Sequence, residues 1–251
     1  QEGMRLRVDT EEAGHSVAAR HPTGGKNVIK FIVRDLFTWD CPKDTALVLC
    51  DPPYGTGKVF KSFLEGVSDF DDTDRTLPYR ILARLLEWEK PLAFFCDPLF
   101  PFGWVDEMMH VPRPERVLVW KTSWISGFKS QSTLPRQVDF ILCYNTVGRD
   151  VLTVEGKTLG ALIDDDKLVS PVHKSFVKRR GGLPVEKGVG IGAVLAAAFS
   201  DPGDLIVDVG CGPSGSLARG AASLGRSVIG IDINLAYIER AKVLAAAQAE
   251  K

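Results

Sequence analysis

The sequence predicts an α/β protein built on a doubly wound, mostly parallel sheet. Short apolar runs alternate with helical patterns along most of the chain, as they do in βαβ units. One apolar run stops at an acid, two prolines and a tyrosine, residues 51–54, and a later run stops at a glycine-rich turn, residues 208–216. Because open α/β sheets bind ligands at the carboxyl ends of their strands, we expect both turns to contribute to a functional site.

Composition limits the alternatives. With 251 residues, of which 45% are hydrophobic, the chain suits one large domain or two small ones with a real core. A formal net charge of −1 excludes a strongly basic nucleic-acid binder, although a local basic face remains open. The five cysteines and four histidines are scattered, so we expect no metal site and a reducing, cytoplasmic location. The apolar runs are shorter than the roughly 18 residues of a membrane span.

The first half of the chain contains most of the predicted strands. Residues 1–26 lack a steady period and are expected to form a flexible arm or a small cap. Beyond them the apolar patterns predict one helix, residues 79–89, among strands at residues 27–35, 46–50, 91–96, 115–121 and 137–145. Residues 27–145 are therefore expected to form the first part of a single domain, residues 27–251.

A polar and irregular stretch, residues 146–182, separates the two halves and predicts loops around one weak strand. Regular patterns return in residues 183–251. They predict strands at residues 204–210 and 227–233, each between helices, at residues 190–199, 214–225 and 235–251. The alternation of helix and strand in this half supports the doubly wound fold.

The tetrapeptide formed by Asp51, Pro52, Pro53 and Tyr54 ends the predicted strand at residues 46–50. The two prolines fix φ and lack backbone donors, so neither a ladder nor a helix continues through them and nearby carbonyls are left unpaired. An acidic side chain, free carbonyls and a Tyr ring suit a pocket for a flat group that carries an NH₂. A rigid Pro-Pro turn capped by Asp51 is the alternative interpretation.

The glycine-rich turn is typical of nucleotide-binding α/β folds, in which Gly210 and Gly212 let a ligand approach the backbone closely. Asp232 lies at the end of the next strand, 24 residues after Asp208, about the distance at which an acid reaches ribose hydroxyls. NAD, flavin and S-adenosylmethionine enzymes all use such a turn. Because Asp208 precedes the glycines within the strand, we favour a ligand with an amino-acid tail.

Together the two motifs resemble the amino-group DNA methyltransferases, whose D/N/S-P-P-Y/F/W tetrapeptide accompanies a glycine-rich motif for S-adenosylmethionine. Here the tetrapeptide comes first, which is similar to the β-class circular order. The resemblance covers residues 27–145, the catalytic half, and residues 183–242 of the cofactor-binding half. It implies a circularly permuted, seven-stranded Rossmann-like methyltransferase sheet. Residues 146–182 would then form a short, loop-rich target-recognition region.

The resemblance also implies the cofactor S-adenosyl-L-methionine, with Asp35 near its adenine and Lys187 near its carboxylate. Asp35 and Asp208 could instead cap turns. The sequence "LPVEKG" departs from the family's H-P-T-x-K-P, and "DVGCGPSGS" departs from its D-P-F-x-G-S-G-T. The full set of predicted cofactor-binding residues is Asp35, Leu36, Lys187, Asp208, Val209, Gly210, Cys211, Gly212, Ser214, Ser216, Asp232, Ile233 and Asn234.

In such an enzyme Asp51 and the carbonyl of Pro52 would accept hydrogen bonds from an exocyclic amino group, and Tyr54 would stack on a base flipped out of the duplex. Asp rather than Ser at position 51 favours N6 of adenine over N4 of cytosine. The expected activity is therefore that of a site-specific DNA methyltransferase, for example in restriction-modification. An RNA or small-molecule methyltransferase and a catalytically degenerate DNA-binding subunit remain alternatives.

Double-stranded DNA is the partner that the resemblance implies, and a homodimer remains an open arrangement. Basic side chains would contact the phosphates, and Trp124 could wedge into the site of the flipped base. Runs of charge also describe ordinary solvated faces, and Trp124 could equally pack in the interior. The predicted DNA-binding residues are Lys121, Trp124, Lys129, Arg136, Lys174, Lys178, Arg179 and Arg180.

Overall fold

A computed structural model describes residues 7–8, 28–55, 58–60, 70–96, 111–126, 136–146, 153–154, 157–158, 162–164 and 187–249. The helices are α1 (Leu77–Leu86), α2 (Val189–Phe199), α3 (Ser216–Ala222) and α4 (Leu235–Ala249). The strands are β1 (Arg7–Val8), β2 (Val28–Val33), β3 (Thr45–Cys50), β4 (Lys58–Phe60), β5 (Phe70–Asp72), β6 (Leu92–Cys96), β7 (Arg116–Ser126), β8 (Arg136–Tyr144), β9 (Thr153–Val154), β10 (Lys157–Thr158), β11 (Leu162–Asp164), β12 (Leu205–Val209) and β13 (Ser227–Asp232).

The main sheet has the strand order β1-β2-β13-β12-β3-β6-β8-β7-β11 among the described residues. The strands from β2 to β7 in this order are the seven that the sequence predicts, and β1 and β11 extend the sheet at its two edges. All neighbours from β1 to β6 are parallel, whereas β8 runs antiparallel to both β6 and β7. The predicted mostly parallel, seven-stranded sheet is confirmed.

Both faces of the central strands are covered. Every residue of β6 and β12 is buried, and so are five of the six residues of β3. Alternate side chains of a strand point to opposite faces, and accordingly Leu47 and Leu49 belong to one hydrophobic cluster while Val48 belongs to another. The first cluster includes residues of α2, α3 and α4, and the second includes residues of α1. This two-sided packing explains the nearly continuous apolar sequences of these strands.

The register brings the ends of four strands to one edge of the sheet. Cys50 of β3 pairs with Val209 of β12, and Val209 pairs with Ile231 of β13. Asp232, the last residue of β13, pairs with Val33 of β2. The tetrapeptide, the glycine-rich turn, Asp232 and Asp35 therefore leave the sheet at the same edge.

Helix α2 packs closely on α3 through glycines. A Cβ atom at Gly192 would lie 2.5 Å from the carbonyl oxygen of Leu217, and one at Gly220 would collide with the carbonyl oxygen of Val189. Such a close approach of two helix backbones leaves no space for a side chain. It also fixes the start of α2, where Gly188 is the N-cap residue and Lys187 comes directly before it.

Several short elements were not predicted. Strand β1 lies within the predicted arm and pairs with β2, and β4 and β5 form a hairpin after the tetrapeptide. Strands β9, β10 and β11 lie in residues 146–182, where the sequence predicts loops around one weak strand. Strands of two or three residues are too short to show a period in the sequence. Within the described residues, no helix is long and apolar enough to cross a membrane.

Substituting Gly220 with Ala should lower the free energy of unfolding by about 1–3 kcal/mol, because the added methyl group has to displace backbone of α2. Gly188→Ala is the matched control, since a Cβ there meets its nearest atom at 4.0 Å and φ is −72°. We expect it to change stability by about 0.5 kcal/mol or less. Urea denaturation of both variants measures this, and equal stabilities would contradict the close packing of α2 on α3.

Candidate active site

The candidate site lies where β3 and β12 end side by side. Because Cys50 pairs with Val209, the residues that follow, Asp51 and Gly210, are neighbours. A Cβ atom added at Gly210 would come within 3.7 Å of the carbonyl oxygen of Asp51, so the two turns lie close together with space between them at this point. The structure therefore brings the tetrapeptide and the glycine-rich turn into one site, as the sequence predicts.

The tetrapeptide has an internal hydrogen bond. The hydroxyl of Tyr54 donates to Oδ1 of Asp51 over 2.8 Å. Pro52 is buried, whereas Asp51, Pro53 and Tyr54 are partly exposed. The Asp51 carboxylate, the adjoining carbonyls and the Tyr54 ring are thus present together at the end of a buried strand, where a ligand can reach them.

Asp72 anchors the chain where it leaves the tetrapeptide. The backbone N–H of Gly55 donates to the Asp72 carboxylate over 2.7 Å, and Asp72 is 3% exposed. Gly55 has a φ of +65°, a conformation that favours glycine. Sequence reasoning missed Asp72, because one acid in a three-residue strand carries no recognisable pattern.

Lys187 lies against the tetrapeptide from the other half of the chain. Its Nζ is 3.2 Å from Oδ1 of Asp51 and 3.1 Å from Oδ2 of Asp139, and it donates to the Tyr54 hydroxyl oxygen over 2.8 Å. The rings of Tyr54, Phe95 and Trp120 lie 5.0–5.9 Å from Nζ. The predicted place of Lys187 beside a cofactor carboxylate stays a prediction, and Asp139 is a second residue that sequence reasoning missed.

Burial raises the pKa of Asp51 above its ordinary value, while the charge of Lys187 and the hydrogen bond from Tyr54 lower it. The charge of Asp139 acts in the same direction as burial. Since the side chains of Lys187 and Asp139 are only 10% and 9% exposed, solvent screens these charges weakly. Lys187 therefore makes the largest contribution in favour of the ionised form of Asp51.

Asp208 is 1% exposed and lies in β12, directly before the glycine-rich turn. Its Oδ2 accepts a hydrogen bond from the backbone N–H of Ala218 in α3 over 3.0 Å, so Asp208 does cap this turn. Its Oδ1 is buried without a hydrogen-bond partner among the described residues. Burial raises the pKa of Asp208 to about 7; the Ala218 N–H opposes this increase and the charges of Asp51 and Asp232 add to it.

Asp232 connects the glycine-rich turn to α4. Its Oδ2 accepts from the N–H of Gly212 over 3.0 Å, and its Oδ1 accepts from the N–H of Asn234 over 2.9 Å. Burial raises the pKa of Asp232, and these backbone N–H groups oppose the increase. Asn234 in turn accepts from the N–H of Ala236 and caps α4. Ile233 lies between Asp232 and Asn234 in the chain, and its side chain is 72% exposed at the same edge of the sheet.

The remaining predicted cofactor-binding residues lie at this edge as well. Oδ1 of Asp35 accepts from the N–H of Phe37 over 2.9 Å, so Asp35 also caps a turn. Arg34 donates its N–H to the carbonyl of Asp232 over 2.9 Å, which holds the end of β2 beside the end of β13. Five of the predicted residues have buried side chains, so only their backbone could face a ligand. They are Leu36, Val209, Cys211, Ser214 and Ser216.

The predicted DNA-binding residues are described only in part. Lys121 is partly buried on β7, and Trp124 and Arg136 lie on β7 and β8, with side chains outside the described part. Outside the described residues lie Lys129, Lys174, Lys178, Arg179 and Arg180. Within the described ranges, no group of three or more His, Cys, Asp or Glu side chains could hold a metal ion.

Comparison with known families gives an extensive match. The model of a family described as DNA methylase, of the N6/N4 methyltransferase type, matches residues 45–243. The chain is 34% identical over 87 residues to the Type II methyltransferase M.EcaI of Enterobacter cloacae. That alignment covers 35% of this chain and 19% of the relative, so the chain matches about a fifth of the relative's length.

Solved structures share the fold at low sequence identity. The M1.HpyAVI–SAM complex is 16% identical with a TM-score of 0.56, over 86% of this chain and 98% of that one. The cytosine-N4-specific PvuII DNA methyltransferase is 10% identical with a TM-score of 0.53, over 86% of each chain. TTHA0409 of Thermus thermophilus, complexed with S-adenosyl-L-methionine, is 17% identical with a TM-score of 0.53, over 87% of this chain and 93% of that one. These similarities confirm the predicted Rossmann-like methyltransferase sheet, while circular permutation stays a prediction.

The raised pKa of Asp208 predicts a pH dependence of stability. Between the ordinary value of 3.8 and about 7, the unfolded chain releases the Asp208 proton and the folded protein keeps it. The contribution of Asp208 is therefore fully present below 3.8 and is lost as the pH rises through about 7.

Asp208→Asn does not titrate and retains an oxygen for the Ala218 N–H. Relative to the wild type, its free energy of unfolding should increase as the pH is raised from about 4 to about 7 and then level off. Urea denaturation of both proteins at several pH values measures the difference. Parallel pH dependences would contradict the raised pKa.

Proposed function

The chain belongs to the N6/N4 DNA methylase family, and on that premise we propose that it transfers a methyl group from S-adenosyl-L-methionine to an exocyclic amino group in double-stranded DNA. The observation that carries this proposal is the pairing of β3 with β12, which sets Asp51 beside Gly210 where the two strands end. It places an acceptor for an amino group directly beside a turn suited to a nucleotide-like ligand.

The residues around the glycine-rich turn fit this cofactor. Gly210 and Gly212 have φ values of +66° and +63°, and beside each of them a Cβ atom would meet other atoms only at 3.7 Å or beyond. A ligand can therefore approach the backbone there. The exposed apolar side chain of Ile233 is available for an adenine ring, and Asp232 for ribose hydroxyls. When bound, S-adenosylmethionine supplies an activated methyl group.

The chain's own contribution to the reaction is positioning and electrostatics. An exocyclic amino nitrogen is a poor nucleophile because its lone pair is delocalised into the ring. Asp51 and the Pro52 carbonyl accept hydrogen bonds from the amino group and direct the lone pair out of the ring plane. Tyr54, held by its hydrogen bond to Asp51, offers its ring for stacking on a flipped base. The nitrogen loses one proton as it gains the methyl group, and the Asp51 carboxylate is within reach to accept that proton.

We propose adenine N6 as the target because position 51 is Asp. Cytosine N4 is the second candidate, since the cytosine-N4-specific PvuII enzyme shares the fold. Residues 146–182 are proposed for target recognition, and the basic residues at positions 121, 129, 136, 174 and 178–180 for phosphate contacts. The five cysteines are free thiols, which supports a cytoplasmic location.

A labelling experiment tests the proposed function. The protein is incubated with mixed-sequence duplex DNA and isotope-labelled S-adenosylmethionine, the DNA is digested to nucleosides, and the labelled product is identified by mass spectrometry. We expect label in N6-methyladenine. Label in N4-methylcytosine would keep the mechanism and change the base. Cofactor binding without label in DNA would remove DNA as the substrate, and absence of cofactor binding would leave a degenerate DNA-binding subunit.

Asp51→Ala should abolish methyl transfer, because the variant has no side-chain acceptor for the amino group, while binding of S-adenosylmethionine persists. Asp51→Asn is the matched control. It keeps the shape of the side chain but removes its charge and replaces one carboxylate oxygen with an NH₂ group, so we expect a loss of about 10²–10⁴-fold. Turnover and calorimetric cofactor titration are measured on the same preparations. Full turnover by Asp51→Ala would exclude the acceptor role.

A further inference from the structure

Lys187 and Asp139 form a buried pair of opposite charges beside Asp51 of the tetrapeptide. We name these two residues the clamp. On the basis of the proposed function, we propose that Lys187 is a positioning residue: held by Asp139, it fixes Oδ1 of Asp51 and so leaves Oδ2 as the acceptor for the target amino group. Asp139 is the second positioning residue, because it orients Lys187. Neither residue is required to touch the base.

The distribution of contacts over the two Asp51 oxygens carries this inference. Oδ1 accepts the Tyr54 hydroxyl at 2.8 Å and lies 3.2 Å from Nζ of Lys187. No described residue donates a hydrogen bond to Oδ2. The Asp51 side chain is 23% exposed, so a ligand can reach it from solvent. Oδ1 is therefore held by two side chains, whereas no described residue donates to Oδ2, and this arrangement suits an acceptor that must direct a lone pair.

Asp139 explains how a flexible lysine keeps one position. Oδ2 of Asp139 lies 3.1 Å from Nζ on the side of β8, while Asp51 and Tyr54 approach from the end of β3. Phe95 and Trp120 place aromatic rings 5.5 Å and 5.9 Å from the same nitrogen. Charge-assisted hydrogen bonds of this kind are short and strong where water is excluded. Removing either partner leaves a buried charge with fewer contacts.

Lys187 and Asp139 shift the pKa of Asp51 in opposite directions. Burial raises the pKa of Asp51, Lys187 and Tyr54 lower it, and Asp139 raises it. The other titratable groups beside Asp51 are the thiol of Cys50 and the carboxyl of Asp208, whose pKa values the charge of Asp51 raises. Within the clamp, Lys187 favours the ionised form of Asp51 and Asp139 opposes it, so the two members can be separated by the sign of their effects.

The test uses Lys187→Met, which removes the cation, and Asp139→Asn, which removes a negative charge and keeps an oxygen for Nζ. The carboxyl carbon of Asp51 is followed by NMR in ¹³C-aspartate-labelled protein, and its signal is identified by its loss in Asp51→Asn. We expect the pKa of Asp51 to rise in Lys187→Met and to fall in Asp139→Asn. Unchanged pKa values, or shifts in the same direction, would overturn the inference.

Turnover against pH gives the second readout. The acid limb of the profile should move to higher pH in Lys187→Met and to lower pH in Asp139→Asn. At a pH on this limb, Lys187→Met should lose about tenfold or more in turnover. Uniform losses without a shift of the acid limb would indicate a merely structural role and would overturn the inference. Circular dichroism controls for folding. If Lys187→Met does not fold, Lys187→Arg, which keeps the cation, should leave the Asp51 pKa near the wild-type value while Asp139→Asn lowers it.

The two proposals fail in different ways. If the wild type transfers label to DNA and neither variant shifts the Asp51 pKa, the clamp is wrong and the proposed function is retained. If the variants shift the Asp51 pKa in opposite directions and the wild type neither binds S-adenosylmethionine nor labels DNA, the proposed function is wrong. The electrostatic effect of Lys187 on Asp51 would then remain without a target amino group.

Discussion

The parallel pairing of β3 with β12 is the constraint on which the candidate site depends. It sets Cys50 opposite Val209, so the chain leaves both strands at the same level. A shift of one residue would turn every side chain of β3 to the other face and move Asp51 away from Gly210. Such a shift would also exchange the two hydrophobic clusters, because Leu49 and Val48 pack on opposite faces. The packing that stabilises the sheet thereby also positions Asp51 beside the glycine-rich turn.

Acidic side chains accumulate at this edge of the sheet, and their burial has an electrostatic cost. Asp51, Asp208 and Asp232 are all buried enough for their pKa values to rise, and the charges of Asp51 and Asp232 raise the pKa of Asp208 further. Backbone N–H groups stabilise Asp208 and Asp232, whereas Lys187 stabilises Asp51. The different partners match different tasks. Asp208 and Asp232 hold turns, whereas Asp51 lies beside a cation and its side chain is 23% exposed.

The sequence predicts the long elements and the two motifs because each has a local signal. The apolar run before Asp51, the glycines at positions 210 and 212, and Asp232 at the end of the next strand can all be read within a few residues of one another. The glycines alone decide little, since with Gly215 they also fit the G-x-G-x-x-G spacing of dinucleotide-binding turns. The contacts of Lys187 with Asp51 and Asp139, and of Asp72 with Gly55, join distant segments without any periodic pattern. Only the folded chain reveals them.

The site combines residues from two distant parts of the chain. Asp51, Tyr54 and Asp139 belong to residues 27–145, whereas Lys187 and the glycine-rich turn belong to residues 183–251. The cation that faces Asp51 does not come from residues 27–145 but is Lys187, which lies directly before Gly188, the N-cap residue of α2. Helix α2 is in turn held by its close packing on α3, the helix that Asp208 caps. Residues 183–251 therefore supply both the glycine-rich turn and the cation that faces Asp51.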